Sequence, residues 1–507
     1  MSDKNVSQHS QTNKSKSPSD LSEHPFTTIQ PAPALIESKV PVVDSKEVIY
    51  QKTEKGELIE EVEPQEKKKN STILGSSFML TNLCLGTTIF TFAVRAKAFG
   101  LVWFLVVCVV VAIVNYWSIM RCVYASSKCK KDDYSEITEE ILGRKTRVVL
   151  NIFIILYSYG FCMCYCVLIY SLFGRFIQSL AYNKDYVDYN EFYDKRWGKA
   201  YIKYPFYAGV GFCLSLMCLI KDINKLSFSA YIGVGACSYA LIVVLVQCYS
   251  YYKYYRDTIY KADDESTHPN WINIGDAFTK KMDFFKGIST LFAAYACHPG
   301  IFPVYAGFKQ QRSENNNNKD NENNEETIDI KKMKYSTFFG TLLTTILHFI
   351  SITCSFLTNP YDPEDLIVFR KNKGNDKDIF MTLAKLFVAI SLVFTFPGYY
   401  FTLRLSIANS CTKGQISNKF NYIVTFLSCF GCCLVAAVYD KVLNYLNYIG
   451  GFLSVYICYL NPILLCIKKS GKPFTHWKNI LELSISILLS LIGVIAGILT
   501  IIDDVTG

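Results

Sequence analysis

Long apolar runs, separated by short polar segments, occupy the chain from residue 73 onwards. A membrane-spanning helix needs about 20 mostly apolar residues, and eleven runs come close to that length. The eleven runs cover 73–95, 101–124, 148–171, 203–220, 227–250, 285–305, 335–357, 379–402, 420–439, 444–467 and 479–501. Strands of a membrane barrel would instead alternate apolar and polar residues. The pattern therefore predicts an all-α polytopic membrane protein with eleven transmembrane helices.

The first and sixth runs contain residues that interrupt a helix. The first run holds Asn82 and the GTT sequence at 86–88, and the sixth holds the CHPG sequence at 297–300. Pro and Gly inside a spanning helix free backbone polar groups, which are tolerated where they line a cavity or find a partner. A simple proline kink would also fit the sixth run alone. Two interrupted runs five spans apart, however, favour a five-plus-five inverted repeat with broken helices 1 and 6.

Such breaks have a specific chemistry. The N-terminus of a half-helix offers free N–H groups and a positive dipole end to an anion. The unwound carbonyl oxygens can accept an ammonium group or a cation. A zwitterionic amino acid requires both, so the pattern indicates a carrier of small solutes with a binding site at the midplane of the membrane.

The composition excludes several other classes. The chain has 507 residues, of which 50% are hydrophobic and 19% charged, with a net charge of +9. The lysines and arginines lie mainly in loops and tails, as membrane proteins require, and no motif indicates nucleic-acid binding. The spans carry no HExxH sequence, paired carboxylates or Ser/His/Asp arrangement, so we expect neither an enzyme nor a cofactor. Most of the 19 cysteines lie inside apolar runs and are expected to pack there.

The segments outside the runs set the domain organisation. Residues 1–70 are rich in Ser, Lys, Pro and Glu, which predicts a disordered tail. The KKK sequence at 67–69 favours a cytosolic N-terminus, and no cleavable signal peptide is expected. Residues 71–503 form the predicted transporter domain, and residues 310–334 form a low-complexity, Asn-rich cytosolic loop within it. The expected location is the plasma membrane or a vacuolar or lysosomal membrane.

Several sequence blocks resemble the amino acid/auxin permease family, whose members adopt the broken-helix fold of bacterial leucine transporters. The most specific is FAAYACHPGIFPVY at 292–305, and NLCLGTTIF at 82–90 is similar to the family's first span. Further similar blocks are DYSEITEEILGRKTR at 133–147, LIKDINKLSFSA at 219–230, TFPGYYFTLR at 395–404, IGG at 449–451 and LNP at 460–462. The sequence departs from the family pattern at Thr88, Ala93, Gly307 and Thr402. The resemblance implies the same fold and an amino acid substrate.

Candidate substrate-binding residues follow from the two breaks. We expect the backbone of Gly86, Thr87 and Thr88 to bind the substrate carboxylate, with the threonine hydroxyls assisting. The alternative is a flexible helix without substrate contact. The residues expected to line the second break and to cap the pocket are Tyr295, Ala296, Cys297 and Tyr165. Tyr165 also fits an ordinary packing role.

Candidate coupling and gating residues lie on neighbouring spans. Asn82 and Thr395 offer oxygen atoms that suit Na⁺, the metal ion that fits this pair, although hydrogen bonding between helices explains them nearly as well. His298 is the candidate for proton coupling, because an ordinary histidine titrates near pH 6.5. A structural hydrogen bond is its alternative. Arg404 is the candidate gate on the inner side.

The sequence thus predicts a secondary active transporter of amino acids that works by alternating access and is coupled to H⁺ or Na⁺. Neutral substrates are favoured, because the central turns of spans one, three, six, eight and ten contain no Asp or Glu. The alternative is an amino-acid sensor that signals through its cytosolic tail. The expected partners are a small-molecule amino acid, the lipid bilayer and cytosolic proteins that bind the tail.

Overall fold

The computed structural model describes most of the chain after residue 71. The described residues are 72–86, 88–129, 131–181, 189–219, 227–260, 264, 268–279, 282–315, 322–360, 363–364, 366–370, 373, 378–412 and 416–506. Every regular element in these ranges is helical. The expected tail at 1–70 lies outside them.

The chain forms seventeen α-helices within the described ranges. They are α1 Ile73–Leu85, α2 Phe92–Phe99, α3 Leu101–Cys129, α4 Tyr134–Leu142, α5 Arg144–Ala181, α6 Tyr189–Phe192, α7 Ala200–Cys218, α8 Ser227–Ile259, α9 Gly275–Thr279, α10 Asp283–Tyr295, α11 His298–Asn315, α12 Glu322–Thr358, α13 Ile379–Cys411, α14 Asn418–Val438, α15 Val442–Tyr448, α16 Asn461–Lys469 and α17 Trp477–Thr506. Short 3₁₀ turns cover Thr88–Phe90 and Ile367–Phe369, and π-helical segments cover Tyr193–Trp197 and Ile449–Leu460.

Eight helical stretches in the described ranges are long and apolar enough to cross a membrane. They are α3, α5, the Tyr231–Thr258 part of α8, the Ile328–Thr358 part of α12, α13, α14, α17 and the continuous stretch Val442–Lys469. This confirms an all-α membrane protein. Three of the eleven predicted spans are not among the eight. The first and sixth are divided into short helices, and α7 begins with tyrosines and Lys203, which lower its hydropathy.

Helices occupy much of residues 310–334, where the sequence predicted a loop. Helix α11 continues to Asn315 and α12 begins at Glu322, so helices enter the segment from both sides. The Gln, Glu, Arg and Lys residues of this segment are good helix formers, which explains how both helices extend beyond their apolar parts. Residues 316–321 lie outside the described ranges.

The helices around the two breaks pack in two groups. One group, which we call the bundle, contains α1, α2, α3, α10, α11 and α12. Within it, Ser77 Oγ donates a hydrogen bond to Ser336 O at 3.1 Å, and Thr81 Oγ1 donates to Gly340 O at 3.2 Å. These bonds join α1 to α12. Gly340 has no side chain, which permits the backbones of the two helices to approach closely.

The other group, which we call the scaffold, contains α5, α7, α13 and α14. Ser158 and Thr402 hydroxyls lie 2.8 Å apart between α5 and α13, and Tyr207 Oη donates to Ala436 O at 3.2 Å between α7 and α14. Helix α8 packs against both groups, since it contacts α1 and α12 on one side and α13 on the other.

A buried lysine joins the bundle to the last helix. Lys286 on α10 is only 4% exposed and forms an ion pair with Asp503 near the end of α17. Asp283 lies 3.8 Å from Lys286 and 3.3 Å from Arg95 of α2. Because a buried charge is costly without a partner, these contacts fix the end of α17 against α2 and α10.

Candidate functional site at the two helix breaks

The first break begins where α1 ends at Leu85. Gly86 adopts φ 28° and ψ −136°, a conformation that L side chains rarely adopt. A Cβ at this position would lie 2.7 Å from Tyr165 Oη, so space also requires glycine. Thr88 Oγ1 lies 3.3 Å from Leu85 O and 3.5 Å from Cys84 O and donates to these carbonyls at the end of α1. The break is therefore stabilised by side chains of the same segment.

The second break separates α10 from α11. Helix α10 ends at Tyr295, Ala296 is extended with ψ 97°, and α11 begins at His298. Gly300 N donates to Cys297 O at 2.9 Å, which closes the first turn of α11. Both interruptions predicted from the sequence are therefore present.

The two breaks lie against each other. The Cys84 thiol, in the last turn of α1, lies 3.8 Å from Tyr295 O at the end of α10. The side chains of Cys84, Thr88, Tyr295 and Cys297 are all buried. Helices α2 and α11 begin beyond the breaks, so each break is flanked by the carbonyl end of one helix and the N-terminal N–H groups of the next. This arrangement supplies both signs of partial charge.

Two tyrosines of the scaffold reach the carbonyl groups of the breaks. Tyr399 Oη on α13 donates to Leu83 O at 2.5 Å, and Tyr157 Oη on α5 donates to Ala296 O. Phe161 packs between them, stacked on Tyr399 at 4.5 Å between ring centroids and edge-on to Tyr157 at 5.0 Å. Neither tyrosine was predicted from the sequence.

Asn82 of α1 and Thr395 of α13 lie next to each other. Thr395 Oγ1 lies 3.5 Å from Asn82 Oδ1 and donates to Ser391 O at 2.9 Å. Ser391 Oγ donates to Gly233 O at 3.0 Å, so α1, α8 and α13 all contribute oxygen atoms here. We call these four residues the oxygen cluster. Ser391 and Gly233 were not identified from the sequence.

The oxygen cluster has the donor chemistry that a hard cation prefers. Its amide, hydroxyl and carbonyl oxygens are neutral, as suits a monovalent ion such as Na⁺. Within the described ranges, no group of three or more His, Cys, Asp and Glu side chains is arranged to hold a metal. The oxygen cluster is therefore the candidate cation site that these residues offer.

His298 lies at the first residue of α11 and is fully buried. Its Nε2 is 3.1 Å from Ser118 Oγ, and Ser118 donates its own proton to Cys458 O. Ser118 can then only accept from His298, which assigns the proton to Nε2 of the neutral ring. Among the described residues, Nδ1 has no hydrogen-bond partner.

His348 on α12 is a second buried histidine, for which the sequence predicts no role. Neither ring nitrogen has a hydrogen-bond partner in the described part of the chain. Its ring lies edge-on to Tyr295 and to Phe92, with 5.0 Å between centroids in each case. It therefore packs directly beside both breaks.

Of the remaining residues predicted for the site, one lies at the breaks and another lies away from them. Tyr165 lies beside Gly86, as noted above, and its ring is edge-on to Tyr399 at 5.6 Å. Arg404 is buried within the scaffold, where Nη1 donates to Cys218 O and to Asn421 Oδ1, each at 2.9 Å. These partners belong to α7 and α14 and not to the breaks. Thr87 lies outside the described residues.

Comparison with known proteins gives matches over most of the chain. Residues 69–503 match the family described as transmembrane amino acid transporter protein. Over 334 residues the chain is 19% identical to the sodium-coupled neutral amino acid transporter 7 of Xenopus laevis, which covers 64% of this chain and 63% of that protein. It is 22% identical over 456 residues to the amino acid transporter AVT6E of Arabidopsis thaliana, with 88% and 85% coverage.

The chain is also similar to the vacuolar amino acid transporter 2 of Saccharomyces cerevisiae. The two are 23% identical over 465 residues, which cover 87% of this chain and 86% of the yeast protein. The match thus spans less than two thirds of the frog protein but most of the length of the plant and yeast proteins.

Proposed function

Because the chain belongs to the transmembrane amino acid transporter family, as its resemblance in sequence indicated, we propose that it is a secondary active transporter of neutral amino acids. The observation that carries this proposal is the contact between the two helix breaks, where Cys84 Sγ meets Tyr295 O at 3.8 Å. Each break is flanked by a helix carbonyl end and a helix N-terminus, which suits the ammonium and the carboxylate of one amino acid. The side chains at this contact are uncharged, which favours a neutral substrate.

The proposed mechanism is alternating access. In this proposal the chain has eleven spans, and its first ten form two inverted repeats of five, with α1–α2 and α10–α11 as the broken first helix of each repeat. The bundle rocks against the scaffold and exposes the site to each side in turn. The separate hydrogen bonds within each group, such as Ser77–Ser336 and Tyr207–Ala436, support rigid-body movement of the two.

The proposed coupling ion is Na⁺ or H⁺, and each has its own candidate site. Na⁺ would be held at the oxygen cluster, through Asn82 and Thr395, in accord with the name of the sodium-coupled frog relative. H⁺ would bind His298 at Nδ1, which has no hydrogen-bond partner among the described residues. The proposed membrane is the plasma membrane or a vacuolar or lysosomal membrane, and the yeast relative's name favours the vacuole.

The test is uptake of radiolabelled amino acids into proteoliposomes that contain the purified protein. Neutral, acidic and basic substrates are compared under an imposed Na⁺ gradient, an imposed pH gradient, or neither. A Thr88→Phe variant should lose uptake, because Thr88 is buried and its hydroxyl caps α1. Thr506→Phe, at an exposed position on α17, is the matched control. Ligand-induced thermal stabilisation without uptake under any gradient would contradict the carrier and favour an amino-acid sensor.

A further inference from the structure

The hydrogen bonds from Tyr157 and Tyr399 cross the boundary between the two helix groups. Both donors lie on the scaffold, on α5 and α13, and both acceptors lie on the bundle, at Ala296 O and Leu83 O. Each acceptor belongs to a different break. The two bonds therefore fasten the bundle to the scaffold at the level of the candidate substrate site.

Both tyrosines are held in position for this role. Tyr157 is 1% exposed and Tyr399 is 4% exposed, and both contact Phe161. The acceptors are carbonyls at helix ends, where the regular intrahelical donor is missing or displaced. Buried carbonyls of this kind need a donor from elsewhere, because leaving them unpaired is costly.

We propose that Tyr157 and Tyr399 form a latch that closes the carrier without substrate, in which their hydroxyls take the place of the substrate ammonium on the break carbonyls. This inference rests on the proposed transport function. It assigns the closing of the empty carrier to two residues of the same site. Donor and acceptor of each bond belong to the protein, so the latch can form when no amino acid is bound.

The latch acts on one half of the transport cycle more than on the other. Net uptake requires the empty carrier to close and return, and during that step the latch bonds hold the break carbonyls against the scaffold. Exchange of internal for external amino acid uses only the loaded carrier, in which the ammonium itself bonds to carbonyls of the breaks. Removal of the hydroxyls should therefore slow net uptake far more than exchange.

The experiment compares net uptake with exchange in proteoliposomes for Tyr157→Phe, Tyr399→Phe and the double variant. Loss of one buried hydrogen bond changes an equilibrium by about threefold to tenfold. We expect each single variant to lower the ratio of net uptake to exchange by about that factor, and the double variant to lower it further. Phe keeps the ring and its packing against Phe161, so the fold should be retained.

Tyr207→Phe is the matched control. Tyr207 is also a buried tyrosine whose hydroxyl donates to a backbone carbonyl, Ala436 O at 3.2 Å, but both partners lie in the scaffold. Its ratio of net uptake to exchange should equal that of the wild type. The control thus separates loss of the latch from loss of any buried tyrosine hydroxyl.

Three results would overturn the latch. They are an unchanged ratio in Tyr157→Phe and Tyr399→Phe, an equal fall of the ratio in Tyr207→Phe, and loss of exchange together with net uptake in the latch variants. A wild-type protein that shows neither net uptake nor exchange would instead refute the proposed transport function, and with it the latch.

Discussion

Substitution of Gly233 by alanine should selectively damage the candidate cation site. Gly233 lies in α8 and supplies its carbonyl to the oxygen cluster. A Cβ at this position would lie 2.5 Å from Asn82 Oδ1 and 3.2 Å from Thr395 Oγ1, whereas ordinary contacts begin at 3.4 Å. The amide oxygen of Asn82 must then retreat by about 0.9 Å, because protein interiors leave no free space to absorb the methyl group.

The size of the effect follows from the contact that is lost. A hydrogen-bond-type contact to a charged group contributes about 1.5–3 kcal/mol, and every 1.4 kcal/mol changes affinity about tenfold. Displacement of one oxygen ligand should therefore raise the Na⁺ concentration that gives half-maximal uptake by about 10- to 100-fold. The maximal rate at saturating Na⁺ should change much less.

The assay is Na⁺-dependent uptake in proteoliposomes, with Gly235→Ala as the control. Gly235 lies two residues further along α8, and a Cβ there would meet no described residue beyond its own helix backbone within 4 Å. Both substitutions favour helix formation by about 1 kcal/mol, so this contribution to the free energy of folding is the same in the two variants. Gly235→Ala should keep the Na⁺ dependence of the wild type. Identical Na⁺ dependence in the two variants, or wild-type uptake that needs no Na⁺, would refute the assignment of Asn82 and Thr395 to a cation site.

Two further predictions concern stability, measured as thermal unfolding of the purified protein. Gly86→Ala should destabilise by about 1–3 kcal/mol, because its φ is 28° and its Cβ would press on Tyr165 Oη. Gly143 also has a positive φ, but a Cβ there would meet none of the described residues within 4 Å apart from its chain neighbours. Gly143→Ala should therefore cost less, and equal losses would argue against the Tyr165 contact. Asp503→Asn should destabilise by about 1–3 kcal/mol, because Lys286 stays buried with a weaker partner. Adding Lys286→Met should recover most of that loss, and strictly additive losses would contradict the pairing.

The breaks themselves could be predicted from the sequence because their causes are local. Gly86 in an apolar run, and the CHPG sequence at 297–300 in another, each disturb the helix where they stand. The structure accordingly ends α1 at Leu85 and α10 at Tyr295. The pairing of Asn82 with Thr395 was also anticipated, because both are polar residues in otherwise apolar spans and such residues seek partners.

The contacts that complete the site depend on residues far apart in the chain. Tyr399 reaches Leu83 across 316 positions, and Tyr157 reaches Ala296 across 139. In a chain with 35 tyrosines, no local signal distinguishes these two from tyrosines that only pack. Gly233 was missed for a similar reason, since its importance comes from the approach of Asn82 and not from a turn of its own.

Local sequence patterns also predict the membrane-spanning helices only in part. Length and hydropathy identified the eight unbroken spans, because a continuous apolar helix is a local property. The pattern also predicted the span at 444–467, which lies within the continuous stretch Val442–Lys469. Hydropathy does not indicate, however, that its middle is π-helical over Ile449–Leu460. There a Cβ at Gly450 would collide with Ser289 O of α10, so contact with the bundle, and not hydropathy, accounts for the glycine.

The most direct test of the central claim is concentrative uptake by the wild-type protein alone. Proteoliposomes are loaded to hold an inward Na⁺ or H⁺ gradient, and the ratio of internal to external labelled neutral amino acid is followed over time. A secondary active transporter should raise this ratio above one while the gradient lasts and let it fall to one when an ionophore dissipates the gradient. A ratio that never exceeds one under either gradient, with amino-acid binding still detectable, would contradict the account.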